Sequence, residues 1–208
     1  MAYTNIYGKY ESTLNKVLDD LIAEIKNHKP KESLQNEKSF YEHLIYRIKD
    51  SDSMIEKCSR KGFPISAYSA LHEIHDAIGI RIICRFIDDI YTNIDYIRKN
   101  PLFSVIQEKD YIKNVKPNGY RSYHMIIKYK APYEDILGNN PGEFFAEIQL
   151  RTIAMDSWAS LEHEMKYKHD IKNPELIVKE LKRCADELAA CDISMQTIRN
   201  LINAENNV

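Results

Sequence analysis

The segment Ile78–Phe86 constrains the fold of this chain more than any other, because it is dense in β-branched residues. Four of its nine residues are isoleucine. Such a composition is typical of a central strand that is buried on both faces. A buried strand of this kind needs paired neighbours and covering helices, so the chain is expected to form a sheet with helices packed against it.

Four other segments have the alternation or β-branched content of strands, and helices are predicted between and around them. The further strands are His43–Lys49, Leu102–Ile112, Ser122–Tyr129 and Glu143–Leu150. The helices are Tyr10–Asn27 (followed by Pro30), Asp50–Lys61 (followed by Gly62 and Pro64), Ser66–His75, Asp88–Asn100, Arg151–Lys168 and Pro174–Asn203. This order predicts an α+β fold with a mixed five-stranded sheet flanked by helices and a long C-terminal helix.

Length and composition are those of an ordinary globular chain. The 208 residues fit one domain, and the net charge of −2 argues against a protein that holds nucleic acid by bulk electrostatics. No apolar run approaches the length of a membrane span, and the N-terminal residues lack a signal-peptide pattern. The four cysteines have no Cys-x-x-Cys spacing, which predicts reduced thiols in a cytoplasmic protein.

The last predicted helix carries a heptad seam, in which apolar residues alternate spacings of four and three. Its members are Ile177, Leu181, Cys184, Leu188, Cys191, Met195, Ile198 and Ile202. Two interpretations are open, namely packing against the chain's own body or self-association with further copies of the chain. We therefore divide the chain into a domain at residues 1–170 and a helical oligomerisation segment at residues 171–208.

The segment Lys116–His124 combines a glycine turn with two cations, aromatic rings and a histidine. Gly119 allows the backbone to bend or to approach a ligand closely. Lys116 and Arg121 offer positive charge to a phosphate, and Tyr120 offers a flat face to a base. Taken alone, the same segment is more typical of a solvated hairpin loop, and the motifs elsewhere in the chain favour a binding site.

Two carboxylates stand where strand ends bring side chains together. Asp76 lies just before the central strand, and Glu147 lies inside the last predicted strand. Because side chains alternate along a strand, Glu147 and Gln149 share one face, and Arg151 continues that phase. The alternative is an exposed sheet face with a solvated glutamate.

A second basic cluster precedes Asp76 on the predicted helix that follows Asp50. Ser53, Lys57, Arg60 and Lys61 recur at helical spacing, so one face carries a hydroxyl and three cations. Like charges in this arrangement repel one another unless an anion lies between them, which favours a polyphosphate ligand. A solvated basic face is the other interpretation.

Paired carboxylates with flanking cations are what metal-assisted phosphoryl transfer requires, since Mg²⁺ takes carboxylate and phosphate oxygens. The chain has no G-x-x-x-x-G-K-[ST] loop, so side chains must hold the phosphates. A Zn²⁺ site at His72, His75 and Asp76, or a phosphohydrolase built on His75-Asp76 and His169-Asp170, is a weaker interpretation, because further ligands at suitable spacing are absent. Trp158 and His163 are expected to pack rather than to catalyse.

Together these motifs resemble the synthetase domain of the RelA/SpoT-homology alarmone synthetases, and the length resembles that of the small, single-domain members. The matching stretches are Arg47-x-Lys49…Ser53…Lys57, Asp76-x-x-Gly79-x-Arg81, Lys116–His124, Glu147–Thr152 and Met155–His163 with Tyr167-Lys168. The resemblance implies a nucleotidyltransferase-like sheet. It also implies transfer of pyrophosphate from ATP to the 3′-hydroxyl of GDP or GTP, which gives ppGpp or pppGpp and AMP.

The resemblance also implies roles for individual residues. Asp76 and Glu147 would hold Mg²⁺, and Glu147 would activate the 3′-hydroxyl. The ATP-binding residues would be Arg47, Lys49, Ser53, Lys57, Arg60 and Arg81, with the adenine between Arg47 and Arg81. The acceptor nucleotide would be bound by Lys116, Asn118, Tyr120, His124, Gln149 and Asp156, with Tyr120 stacked on guanine. Self-association as a homotetramer through terminal helices is a further implication, whereas the choice among GMP, GDP and GTP stays open.

Two other functions are compatible with the sequence. Some relatives of the family resemble toxins that pyrophosphorylate the 3′ end of tRNA, although a net charge of −2 favours a small acceptor. A regulator that binds nucleotide or RNA without catalysis is a different class. The presence of both Asp76 and Glu147 argues against it, because a pure binder gains little from carboxylates beside phosphates.

Overall fold

Five strands form one mixed sheet in the computed structural model, which describes residues 5–28, 39–167 and 173–205. The strands are β1 (His43–Ile48), β2 (Ile78–Cys84), β3 (Phe103–Asp110), β4 (Tyr123–Ala131) and β5 (Gly142–Thr152). Their order across the sheet is β1-β2-β5-β4-β3. The β2–β5 pair is parallel, and the three other pairs are antiparallel.

Within the described residues five α-helices accompany the sheet, and the predicted α+β fold is confirmed. They are α1 (Glu11–Lys26), α2 (Ser51–Lys61), α3 (Ile87–Lys99), α4 (Ile153–Tyr167) and α5 (Pro174–Glu205). The helix predicted at Ser66–His75 is shorter than expected, a π-helical turn at Ser69–Glu73 that ends where Ile74 becomes extended. Pro30, Lys168 and the His169-Asp170 dipeptide lie outside the described residues.

Two boundaries differ from the prediction for reasons that bear on the site. Strand β3 ends at Asp110 because its carboxylate accepts hydrogen bonds from the backbone N–H groups of Ile112 and Lys113, both at 2.9 Å, and begins a turn. Strand β5 continues through Arg151 and Thr152, which pair with Ile83 and Cys84 of β2. Arg151 therefore belongs to the strand, and the prediction that the following helix begins at Arg151 is wrong.

One face of the sheet is covered by helices. Alternate residues of the three inner strands are buried there, and α1 and α3 contribute to the same hydrophobic core. The core includes Leu21 and Ile25 of α1, Ile90 and Ile94 of α3, Ile78, Ile80 and Ile82 of β2, Met125 and Ile127 of β4, and Ile148 of β5. The expected burial of β2 on both faces is correct only at its end, since Gly79 and Arg81 on the opposite face are partly exposed.

The strand register aligns polar side chains on that opposite face. Gly79 of β2 pairs with Arg47 on one side and with Glu147 on the other. In the neighbouring row, Gln149 pairs with Arg81 on one side and His124 on the other. Residues from four neighbouring strands of the sheet, β1, β2, β5 and β4, therefore lie side by side.

Part of helix α5 packs against the sheet and α4. The indole Nε1 of Trp158 donates to the carbonyl of Leu181 at 2.8 Å, and Thr152 Oγ1 donates to the buried Asp192 at 2.6 Å. The heptad seam is thus divided, since Leu181 is buried whereas Met195 and Ile198 are exposed. Among the described helices, none has both the length and the hydropathy needed to cross a membrane.

Candidate active site

A cleft of about 550 Å³ opens on the opposite face of the sheet, and residues of α4 form part of its lining. Both candidate carboxylates contribute to its wall. The polar residues that line it are Tyr46, Arg47, Lys49, Asp76, Arg81, Tyr120, Glu147, Gln149, Arg151, Ser160, Glu162 and His163. A concave site with convergent charged groups is the expected form of a binding site for a charged small molecule.

Asp76 is held by two lysines on one of its oxygens only. Lys49 Nζ lies 2.7 Å from Asp76 Oδ2, and Lys57 Nζ donates to the same atom. Burial would raise the pKa of Asp76, but the two ammonium groups outweigh it and lower the pKa below its ordinary value. Asp76 is therefore ionised at neutral pH.

The second oxygen of the same carboxylate has no hydrogen-bond partner. Asp76 Oδ1 is buried, and among the described residues it is the one buried side-chain polar atom left without a partner. Because a buried carboxylate oxygen is costly to leave unsatisfied, this atom points to a missing ligand.

Glu147 has a partner on each of its oxygens. His124 Nδ1 lies 3.2 Å from Oε1, and Gln149 Nε2 donates to Oε2 at 3.1 Å. Burial and the charge of Asp76 raise the pKa of Glu147, but the contacts with His124 and Gln149 outweigh them and keep the pKa low. Asp76 and Glu147 line the same cleft.

The donor set fits a hard divalent cation with incomplete protein ligation. No cluster of three or more His, Cys, Asp or Glu suited to a metal occurs within residues 5–28, 39–167 and 173–205. Mg²⁺ typically binds one or two carboxylates and completes its shell with water and substrate phosphates. The pair of Asp76 and Glu147, with one oxygen unpartnered, has this form.

The predicted ATP-binding residues divide into two groups. Arg47, Lys49 and Arg81 line the cleft, and Lys57 reaches it through Asp76. Ser53 and Arg60 are exposed on α2, outside the cleft wall, where Arg60 lies 3.7 Å from Glu56. Helical spacing correctly placed the cations on α2 but could not say which of them faces the cleft.

The predicted acceptor residues gather around Tyr120. Its hydroxyl lies 2.7 Å from His124 Nε2, and Lys116 Nζ lies over its ring at 4.7 Å from the centroid. The same ammonium lies 4.4 Å from the centroid of Tyr111, an aromatic residue that the sequence patterns did not single out. Asn118 Nδ2 donates to Glu162 at 3.1 Å.

The loop that carries Tyr120 is braced by α5. Gly119 has φ +91°, and a Cβ there would lie 2.5 Å from the Cβ of Ala185. Glycine is required both for this conformation and for the close approach. Arg121 donates to the carbonyls of Gly119 and Ala185 at 3.2 and 3.1 Å and pairs with Asp186 at 3.0 Å. Its charge faces α5 rather than the expected phosphate.

Sequence patterns did not identify Arg151 as a candidate site residue, although the alternation Glu147, Gln149, Arg151 placed it on the correct face. Arg151 is buried at the end of β5 and contacts both Tyr120 and Gln149. Asp156, expected to bind the acceptor nucleotide, accepts hydrogen bonds from Arg81 and Arg151 on one oxygen, each at 3.0 Å.

The weaker metal hypotheses find no support in the geometry. The ring of His75 stacks on Phe145 with centroids 3.9 Å apart, and its Nε2 lies 3.0 Å from the carbonyl oxygen of His72. Trp158 is a buried packing residue, as predicted, whereas His163 lies in the cleft wall.

Comparison with known proteins gives concordant matches over most of the chain. A family model described as a region found in RelA and SpoT proteins matches residues 46–172. The GTP pyrophosphokinase YwaC of Bacillus subtilis is 40% identical over 162 residues, which cover 78% of this chain and 75% of the relative. YjbM of the same organism, also a GTP pyrophosphokinase, is 33% identical over 187 residues, covering 88% and 84%.

The fold has the same relatives. A crystal structure of the small alarmone synthetase 1 from Bacillus subtilis, bound to its product pppGpp, superposes with a TM-score of 0.75. The two chains are 30% identical, and the alignment covers 93% of this chain and 94% of the other.

Proposed function

This chain belongs to the RelA/SpoT family, and we infer that it is a small alarmone synthetase of the GTP pyrophosphokinase type. It transfers pyrophosphate from ATP to the 3′-hydroxyl of GDP or GTP and releases AMP, which gives ppGpp or pppGpp. The observation that carries this conclusion is the similarity to such enzymes over most of the chain's length, together with a cleft that joins two carboxylates to converging cations.

We propose that the donor ATP lies against β1 and β2, between Arg47 and Arg81. Both residues line the cleft, and a guanidinium stacks well on a flat base. Lys49 and Lys57 would turn their ammonium groups from Asp76 toward the phosphates, where they offset the charge that spreads during transfer. Ser53 and Arg60 are exposed on α2 and would take part only at the outer phosphates.

Asp76 and Glu147 are proposed to hold one Mg²⁺. The unpartnered Oδ1 of Asp76 and the ionised state of both carboxylates support this proposal. When bound, the ion supplies positive charge against the phosphate oxygens.

Glu147 is also proposed to accept the proton of the 3′-hydroxyl. Its contacts with His124 and Gln149 keep the carboxylate ionised, and each carboxylate oxygen has a second lone pair available. A base in this state, fixed by two neighbours, is ready to take a proton as the hydroxyl attacks.

The acceptor guanosine nucleotide is proposed to stack on Tyr120. Lys116 lies beside this ring and would meet the acceptor's 5′ phosphates. His124 contacts the Tyr120 hydroxyl, and Asn118, Gln149 and Asp156 would bind the base and the sugar. The contacts with the base and the sugar are the same for GMP, GDP and GTP, which differ only in their 5′ phosphates.

Self-association is proposed for the C-terminal part of α5. Ile193, Met195, Ile198, Leu201 and Ile202 are each more than half exposed, and three of them belong to the heptad seam. An apolar helix face of this kind is stabilised by a second copy, and a tetramer is the assembly we expect. We also propose a cytoplasmic location, which agrees with four cysteines that are all free.

The decisive experiment is pyrophosphate transfer from ATP labelled at the γ-phosphate. Purified protein is mixed with labelled ATP, Mg²⁺ and GMP, GDP, GTP or deacylated tRNA, and the products are separated by thin-layer chromatography. Label in a guanosine 3′-pyrophosphate is the expected result. Label in tRNA alone would establish the toxin-type reaction instead, and no label in any acceptor would contradict the proposed activity.

A further inference from the structure

Arg151 is a buried arginine whose donors are all directed at residues of the cleft or at their immediate neighbours. Its side chain is 6% exposed. Nε donates to Ser122 Oγ at 3.3 Å, and Nη1 donates to Asp156 Oδ1 at 3.0 Å. Nη2 donates to Gln149 Oε1 at 2.9 Å and to the Tyr120 hydroxyl at 2.7 Å. A buried guanidinium is tolerated only when its donors are satisfied in this way.

The contact with Tyr120 sets the direction of a chain of hydrogen bonds. Arginine has donors and no acceptor, so the Tyr120 oxygen accepts and its own proton is free for His124 Nε2 at 2.7 Å. A neutral His124 then carries its proton on Nδ1, the nitrogen that lies 3.2 Å from Glu147 Oε1. The first branch therefore runs from Arg151 to one oxygen of Glu147.

A second branch runs through Gln149. Its Oε1 accepts from Arg151, which leaves the amide Nε2 to donate to Glu147 Oε2 at 3.1 Å. Both branches begin at Nη2 of Arg151 and end on the two oxygens of Glu147. The five side chains form a closed ring of hydrogen bonds. Because Arg151 can only donate, the hydrogen bonds of both branches run from Arg151 toward Glu147.

We propose that Arg151 is a positioning residue for pyrophosphate transfer, which orients the Tyr120 ring and the Glu147 carboxylate before the acceptor nucleotide binds. The proposal rests on the proposed function, because that function assigns Tyr120 and Glu147 to the acceptor. Arg151 also lies over the Tyr120 ring, with Cζ 5.3 Å from the centroid. It therefore fixes the stacking surface and the carboxylate at the same time.

The part of the cleft proposed to bind ATP depends less on Arg151. Asp156 Oδ1 accepts from Arg81 Nη1 as well, at 3.0 Å, and this pair does not involve the ring. Shortening Arg151 should therefore disturb the acceptor half while leaving the Arg81–Asp156 pair in place. A residue with a merely structural role would affect both halves equally through the stability of the sheet.

Arg151→Lys tests this difference, because lysine keeps the charge but lacks the planar five-donor fork that contacts Ser122, Asp156, Gln149 and Tyr120 together. We expect the Kd for GDP, measured by calorimetry, to rise about tenfold, and kcat/KM for GDP to fall by at least as much, within the range for coupled neighbours. The Kd for a non-hydrolysable ATP analogue should change less than about twofold. Unchanged GDP binding and rate, or equal losses for both nucleotides, would overturn the proposal.

Arg98→Lys is the matched control. Arg98 also donates to a tyrosine hydroxyl, that of Tyr123 at 3.0 Å, and to a carboxylate, Glu108 at 3.0 and 3.1 Å, but it lies outside the cleft wall. GDP binding and rate should be those of the wild type. A loss equal to that of Arg151→Lys would mean that such substitutions act through general stability, against the proposal.

Tyr120→Phe tests the closed ring of hydrogen bonds without changing the buried arginine, should Arg151→Lys fail to fold. The aromatic face of residue 120 is kept and the hydroxyl is lost, so kcat should fall several-fold while the Kd for GDP stays near that of the wild type. In the double variant, Arg151→Lys should cost clearly less in kcat/KM than it does in the wild type, because one branch is already broken. Losses that simply multiply, or a Tyr120→Phe variant with wild-type kcat, would contradict the proposal.

Failure of this inference is distinguishable from failure of the proposed function. Wild-type protein that binds GDP but transfers nothing would contradict the function, while the calorimetric comparison of Arg151→Lys still tests the positioning role. Wild-type protein that transfers normally, together with an Arg151→Lys variant that binds GDP equally well, would overturn the positioning role alone.

Discussion

The two walls of the cleft are organised in opposite ways. On the wall formed by β1, β2 and α2, two lysines converge on a single oxygen of Asp76 and the other oxygen has no partner. On the wall formed by β4 and β5, Glu147 has a partner on each oxygen within a closed ring of hydrogen bonds. The first wall is incomplete without a ligand, whereas the second is complete before one arrives.

This difference suggests how the work of catalysis is divided. Catalytic groups that are already oriented need no reorganisation when charge develops, which favours a fixed base beside the attacking hydroxyl. A carboxylate with an unsatisfied oxygen and movable ammonium groups instead suits a cation and a polyphosphate that enter together. Substitutions on the two walls should therefore fail in different ways.

Asp76→Asn should give the largest loss, because it removes the ionised group around which the incomplete wall is built. Transfer should fall by more than about 10³-fold, while much of the folded stability is retained. Initial rates with labelled ATP measure the loss, and thermal unfolding checks the fold. Asp95→Asn, an exposed carboxylate on α3, is the control and should be fully active. Near wild-type rates for Asp76→Asn would show that its assigned role is wrong.

Glu147→Gln should give the next largest loss, because an amide of the same shape cannot accept the proton. The fall in kcat should be about 10²–10⁴-fold, the usual contribution of general acid–base catalysis. The amide NH2 cannot accept from His124 or Gln149, but the stacking face of Tyr120 is kept, so binding of GDP should change much less than kcat. Calorimetry and initial rates together separate the two effects, and a variant that lost binding but kept kcat would contradict the assignment.

Tyr120→Ala should act mainly on acceptor binding. Stacking of a base on an aromatic ring contributes on the order of 1–3 kcal/mol, so the KM for GDP should rise by roughly 5- to 150-fold. The KM for ATP should change much less, because the ATP-binding residues lie on the other wall. If dependence on GDP were the same as in the wild type, Tyr120 would not belong to the acceptor site.

Asp135→Asn should have the smallest effect on transfer, because this buried acid lies outside the cleft wall. Burial would raise the pKa of Asp135, but hydrogen bonds from the backbone N–H groups of Glu143, Asn139 and Leu137 outweigh it and lower the pKa. The substitution should reduce the free energy of unfolding at pH 7 by about 1–3 kcal/mol. The transfer rate per folded molecule should not change.

The sign of the pH effect follows from the lowered pKa of Asp135. Its contribution to stability is fully present above the unfolded value, about 3.9, and is lost as the pH falls through the folded pKa. Urea unfolding at several pH values should therefore show Asp135→Asn and the wild type converging in acid. A constant difference between the two proteins at every pH would contradict this explanation.

Much of the sheet and the cleft could be predicted from sequence, because alternation along a strand records which face is covered. Glu147 and Gln149 were placed on one face for this reason, and the structure pairs them with Gly79 and Arg81. The unpartnered Asp76 Oδ1 could not be predicted, since it depends on how Lys49 and Lys57 converge from two different elements.

Contacts between residues distant in the chain account for the other differences. Arg81 meets Asp156 across 75 positions, and Arg121 meets Asp186 across 65, so no local pattern indicates either pair. The seam of α5 has the same spacing in its buried and exposed parts. Spacing alone therefore could not show at which point along α5 the contacts with the rest of the chain end.

A direct view of a bound cation would test the joint role of Asp76 and Glu147. Crystals grown with Mn²⁺ in place of Mg²⁺ and a non-hydrolysable ATP analogue would locate the ion by its anomalous scattering. We predict one ion coordinated by Asp76 Oδ1, by an oxygen of Glu147 and by phosphate oxygens. An ion bound to only one of the two carboxylates, or to neither, would contradict the joint site.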